Sequence, residues 1–129
     1  MKHMKKTSQK GFTLIELMVV ILIIAVLGAL GIVSYGQANR SARDGKRQAD
    51  MESVRQALLL RRQEIQCLPN SGYSSLSTSL VPTYLSVLPS DPGSNAYVYT
   101  SSGGVSGCRT SATLGFTLEG SGAQTITIP

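Results

Sequence analysis

The sequence predicts an α+β fold: one long N-terminal helix, apolar in its first half, packed against a small C-terminal antiparallel β-sheet. Three observations predict it. Residues 12–33, FTLIELMVVILIIAVLGALGIV, are apolar apart from Glu16. No proline precedes Pro69, and helical spacing of apolar and small residues continues to residue 66. Residues 70–129 then hold 29 Ser, Thr and Gly among 60 positions, too many for a helical domain, with short β-type segments between turns.

The basic leader comes first. Residues 1–11, MKHMKKTSQKG, carry four lysines and no acid. The apolar segment after it, with Tyr35 at its far border, is read as residues 12–35. Its 22 apolar-run residues would reach about 33 Å as a helix, enough to cross a hydrocarbon layer of about 30 Å. Tyr35 falls where amphipathic rings favour the headgroup region. The acid-free leader favours a cytoplasmic N-terminus, although Arg40, Arg43 and Lys46 follow the segment. No small-x-small signal-peptidase site follows the apolar core. Gly11 instead stands at the border between leader and core, where its bare backbone suits close approach by a protease. Glu16 is a carboxylate within the apolar run and requires a partner. A cut after Gly11 would create an amine on Phe12 that a neighbouring chain's Glu16 can bind. The competing reading is a glutamate snorkelling to the interface.

Residues 36–66 form the second, amphipathic half of a helix expected from about residue 8 to residue 66. Ala38, Ala42, Gly45 and Ala49 make a small-residue stripe, and Val54, Ala57, Leu58 and Ile65 a larger apolar one. Arg40–Asp44, Lys46–Asp50 and Glu52–Arg55 have helical pair spacing, each pair worth about 0.2–0.5 kcal/mol. The head is residues 67–129. Pro69-Asn70, Pro89 and Asp91-Pro92-Gly93 mark turns, and Leu80, Val81, Tyr84, Leu85 and Leu88 a short helix or packed loop. Strands are expected at 96–100, 112–118 and 124–128, with turns at Gly103-Gly104 and at 120–122.

Charge and composition exclude much. Residues 1–62 carry 11 Lys/Arg against 4 Asp/Glu, and residues 63–129 carry 1 against 3, which together give the chain's +5. The asymmetry points to a membrane or polyanion contact of the N-terminal half. The single histidine, His3, and two cysteines leave triad chemistry and a one-chain zinc site without parts. The basic cluster Arg40, Arg43, Lys46, Arg47, Arg55, Arg61 and Arg62 is interrupted by three acids and lacks interleaved aromatics. Nucleic-acid contact is therefore the less favoured reading, and a solvated or subunit-contacting face the preferred one.

Lys10-Gly11-Phe12-Thr13-Leu14-Ile15-Glu16-Leu17-Met18-Val19-Val20-Ile21 closely resembles the class III leader and N-terminus of type IV pilins and type II secretion pseudopilins. The resemblance is close over about residues 5–35 and looser to about residue 66. It implies cleavage after Gly11 and N-methylation of Phe12 by a prepilin peptidase. It further implies a single-pass protein of the cytoplasmic membrane that polymerises with copies of itself, helix against helix, on an assembly platform. The chain would then be a substrate, not an enzyme. A surface pilus subunit is the first expectation and a pseudopilin of a secretion or DNA-uptake system the second. A monomeric membrane-anchored binding protein is the alternative from another class. Many pilins carry a proline near the position of Val33, where this chain offers Gly28 and Gly31 instead. These glycines either loosen the helix or permit close helix contact.

Cys67 and Cys108 are the only cysteines, an even pair in a domain expected to be exported, and are read as a disulfide. Some pseudopilins hold calcium. Asp91 and Glu119, two isolated acids, do not make such a site, so no metal and no cofactor is expected.

Overall fold

The computed structural model describes residues 11–129. The leader residues 1–10, and with them the expected helical start near residue 8, lie outside the described residues, but Gly11, Phe12 and Thr13, which that helix would include, are not helical. Helix α1 spans Leu14–Ile65, 52 residues. It runs through two compact units, residues 1–37 and residues 38–129.

In the first unit α1 begins at Leu14 because Thr13 caps it. The helix continues through Gly28 and Gly31 without a break, and a Cβ at either would meet nothing within 4 Å. Apolar side chains from Leu14 to Ile32 are exposed throughout, so this face has no partner within the chain among the described residues. Length and apolarity are those of a membrane-crossing helix.

The second unit is the head, and it begins with the rest of α1. Met51, Val54, Ala57 and Leu58 form the buried stripe of the helix, at 3, 3 and 1 spacing. Ile65, expected on that stripe, is 49% exposed, and Met51 completes the stripe at its other end. Ile65 is the last helical residue, and the chain turns away after it. Gln66 takes the left-handed conformation, φ 63°, that commonly ends a helix. Its N–H donates to the Arg62 carbonyl at 2.9 Å, and Arg61 Nη1 donates to the Cys67 carbonyl at 2.7 Å. The small residues Ala38, Ala42, Gly45 and Ala49 are all exposed.

The five-residue helix α2, Leu76–Leu80, precedes the 80–88 segment, which forms the packed loop rather than the short helix of its two expected states. Leu76 and Leu80 enter the core, while Tyr84, Leu85 and Leu88 pack at its margin from turns. Three antiparallel strands follow: β1 Val98–Ser102, β2 Ser111–Leu118 and β3 Gly122–Ile128, in the order β1-β2-β3. Central β2 buries Ala112, Leu114, Phe116 and Leu118, the alternate residues that a half-buried strand requires. Tyr97, Tyr99 and Ile128 complete the sheet side of the core. In the β1–β2 connection, Gly103 and Gly104 have φ of 69° and 65°. A Cβ at Gly104 would stand 2.2 Å from the Cys108 carbonyl oxygen, so the turn demands glycine. Cys67 and Cys108 form a disulfide that spans 41 residues. Beside it, Leu68 and Arg109 exchange two backbone hydrogen bonds of 3.0 Å.

Candidate functional site

Two constellations carry chemistry, one in each unit. The first is the start of α1. Gly11, Phe12 and Thr13 precede the helix without regular structure, and Phe12 is 85% exposed. A Cβ on Gly11 would meet nothing within 4 Å, so packing among the described residues does not call for glycine there. Glu16 Oε2 accepts hydrogen bonds from Thr13 N–H at 2.8 Å and from Thr13 Oγ1 at 2.7 Å. Glu16 N–H donates in return to Thr13 Oγ1 at 3.4 Å. This reciprocal arrangement is a capping box: Thr13 is the N-cap and Glu16 the N3 residue. Its signature, Thr-x-x-Glu before an apolar run, is legible in the sequence, and neither partner proposed for Glu16 above includes it. The box consumes only Oε2; Oε1 has no hydrogen-bond partner among the described residues. Phe12, Ile15, Glu16, Val19 and Val20 line one apolar groove beside the start of α1.

The second constellation ties the head together. The Arg47 side chain is 1% exposed and is surrounded by carboxylates from three segments. Its Nε donates to Asp91 Oδ1 at 2.5 Å and its Nη2 to Asp91 Oδ2 at 3.2 Å, a bidentate pair. Its Nη1 donates to Asp44 Oδ1 at 2.7 Å and to Glu119 Oε1 at 3.0 Å. Arg43 also grips Glu119, with contacts of 2.7 and 2.6 Å. The Arg43 and Arg47 guanidinium groups hold the Glu119 carboxyl down to about 2. Hydrogen bonds from Arg47 lower Asp91, and those from the Glu119 and Gly120 N–H groups lower Asp44. Asp91 also accepts from Gly93 and Asn95 N–H, which folds the 91–95 loop around the guanidinium. Asp44 likewise fixes the β2–β3 turn through Glu119 and Gly120 N–H at 2.9 and 3.0 Å.

This network corrects the expected helical pairs. Asp44 bonds Arg47, not Arg40, and Asp50 accepts from the Tyr97 hydroxyl at 3.1 Å, not from Lys46. A flexible surface pair gains only a few tenths of a kcal/mol, about 0.3–0.5, and yields to partners held by the packed head. Glu52–Arg55 forms as its spacing predicts, at 3.0 Å. Three of the seven residues of the basic cluster, Arg43, Arg47 and Arg55, are spent on carboxylates. Asp91 and Glu119 surround a built-in cation, the Arg47 guanidinium. Among the described residues no group of three His, Cys, Asp or Glu is arranged to hold a metal ion.

An exposed apolar helix with a capped acidic start, leading into a helix-backed three-stranded head, defines a pilin-like α+β subunit. The prokaryotic N-terminal methylation motif matches residues 6–32. The type II secretion system core protein G of Escherichia coli is 34% identical over 107 residues, covering 74% of each chain. That of Pseudomonas aeruginosa is 31% identical over 117 residues, covering 78% of this chain and 79% of its own. No solved structure matches the chain significantly. The chain belongs to the type IV pilin and type II secretion pseudopilin family.

Proposed function

We propose that the chain is a pseudopilin: a subunit cut after Gly11, N-methylated on Phe12, and polymerised through α1 within a type II secretion-type apparatus. The observation that carries this reading is the similarity to two core G proteins of that system, which covers about three quarters of the chain and so reaches well into the head. The unpacked surroundings of Gly11 support processing. Glycine there serves no contact among the described residues, whereas a protease that must reach the backbone requires it. The acid-free lysine leader supports a cytoplasmic N-terminus before assembly.

In this mechanism the subunit waits in the membrane with Glu16 Oε2 in its capping box. The new amine of a neighbouring Phe12 then binds Oε1, which satisfies both buried charges and docks two helices. Cleavage after Gly11 leaves the Phe12–Thr13 amide intact, so the cap survives processing. The chain is the substrate of peptidase and assembly platform and catalyses neither step. The surface pilus is the second reading, and it rests on the motif that both kinds of subunit share.

Mass spectrometry of the mature chain from cells with a prepilin peptidase tests the processing. The expected N-terminus is methylated Phe12, and chains that retain Met1 refute it. Deleting the gene and measuring secreted protein separates the two readings. Lost secretion supports the pseudopilin, while intact secretion with loss of surface filaments supports the pilus.

A further inference from the structure

Lys46 is exposed, and the carboxylates a helical turn from it are engaged elsewhere: Asp50 by Tyr97, and Asp44 by Arg47 and the β2–β3 turn. Glu52 is the complementary group. Its side chain is 45% exposed, and both of its hydrogen bonds, from Arg55 and Gln56, fall on Oε1. Oε2 has no partner among the described residues. We propose that Lys46 of one subunit pairs with Glu52 of the next, and that this pair fixes the stagger between neighbouring heads. The proposal rests on the filament reading above and identifies a second copy of this chain as the partner of this helix face.

The placement of the two residues carries the argument. Lys46 immediately precedes the buried Arg47, and Glu52 immediately follows the buried Met51. With 3.6 residues per turn they stand on opposite flanks of the exposed side of α1. Between them lie Ala42, Gly45, Ala49 and Ser53, all exposed, with Ser53 Oγ turned back onto the Ala49 carbonyl at 2.8 Å. A neighbouring helix can approach such a surface closely. In a head-to-tail assembly one flank of each subunit meets the opposite flank of the next, which brings a Lys46 edge against a Glu52 edge.

Lys46 and Glu52 are six residues apart on α1, so their pairing sets a stagger of about 9 Å between neighbouring heads. Arg40 with Glu52 would require about 18 Å. Glu64, an exposed carboxylate further along the helix, is already engaged by the Tyr84 hydroxyl, and its pairing with Lys46 would require about 27 Å with both groups on the same flank.

The test is charge reversal and exchange in the full chain, expressed with its assembly machinery. Lys46→Glu alone and Glu52→Lys alone are each expected to reduce polymer at least about tenfold, because each replaces an attraction with a repulsion at every subunit addition. The double variant is expected to recover polymer to within about twofold of wild type, since the exchanged pair has the same geometry. Resistance of Cys67 and Cys108 to alkylation, with equal membrane levels by immunoblot, establishes that each variant folds. Normal polymer from either single variant overturns the pairing. Loss in both singles without recovery in the double also overturns it, whereas loss in Lys46→Glu with normal polymer in Glu52→Lys overturns it and points to an anionic lipid surface as the partner of Lys46. Absence of polymer from the wild-type chain refutes the filament reading itself, and this contact with it.

Discussion

The Cys67–Cys108 bond permits a direct test of what stabilises so small a head. The perturbation is Cys67→Ser together with Cys108→Ser. The bond spans 41 residues. Closing a loop of that size removes about 13 cal/mol/K of chain entropy from the unfolded state, which is about 4 kcal/mol at 25 °C. Little is lost in the folded state, because both cysteines are only partly buried and Leu68 and Arg109 still hold the two segments by paired backbone bonds. The effect therefore falls mainly on the unfolded chain. For a unit of this size, residues 38–129, each kcal/mol moves the thermal midpoint by about 4–8 °C, so the double variant is expected to melt roughly 15–30 °C lower. With no tryptophan in the chain, near-ultraviolet circular dichroism reports the packed tyrosines, Tyr73, Tyr97 and Tyr99, in the detergent-solubilised protein. The spectrum at low temperature is expected to match wild type, with only the midpoint changed. A midpoint within about 5 °C of wild type would refute the chain-entropy reasoning. It would mean that the unfolded head retains enough structure to keep the two cysteines close.

Three further outcomes follow from the same contacts. Glu119, Asp44 and Asp91 are all held below ordinary carboxylate values, Glu119 at about 2, so their contribution to stability is complete above about pH 4.5 and declines as pH falls toward about 2. Thermal midpoints measured across that interval should drop, and a flat profile would remove the Arg47 network from the account of head stability. Leu114→Ala, at a fully buried position on central β2, is expected to destabilise the head by about 2–5 kcal/mol in denaturant titration. Glu16→Gln retains an acceptor for the capping box but loses the charge. It is expected to insert and be processed normally yet polymerise poorly, and normal filament numbers at normal subunit levels would exclude the Phe12–Glu16 charge pair.

The sequence by itself determined the elements whose signals are local. The apolar run, the absence of proline before Pro69 and the alternating segments near the C-terminus specify one long helix and three strands, because periodicity and backbone chemistry act over a few residues. The start of α1 was expected near residue 8, although the capping signature of Thr13 and Glu16 marks the observed start at Leu14. Residues 80–88, rich in apolar side chains, form the packed loop that was one of their two expected states, whereas α2 at Leu76–Leu80 offers only two leucines in five residues and was not anticipated, because it is the burial of both in the core that selects it. Tertiary structure alone decided the partners of the charges. Arg47 looks like any basic residue of the helix, yet it takes Asp91 and Glu119 from positions 44 and 72 residues away and leaves Lys46 outside. Helical spacing proposes neighbours for each charge, and exposed pairs are too weak to enforce the choice. Bidentate bonds to a guanidinium enclosed by three folded segments are strong enough, and those segments meet only after the head has closed.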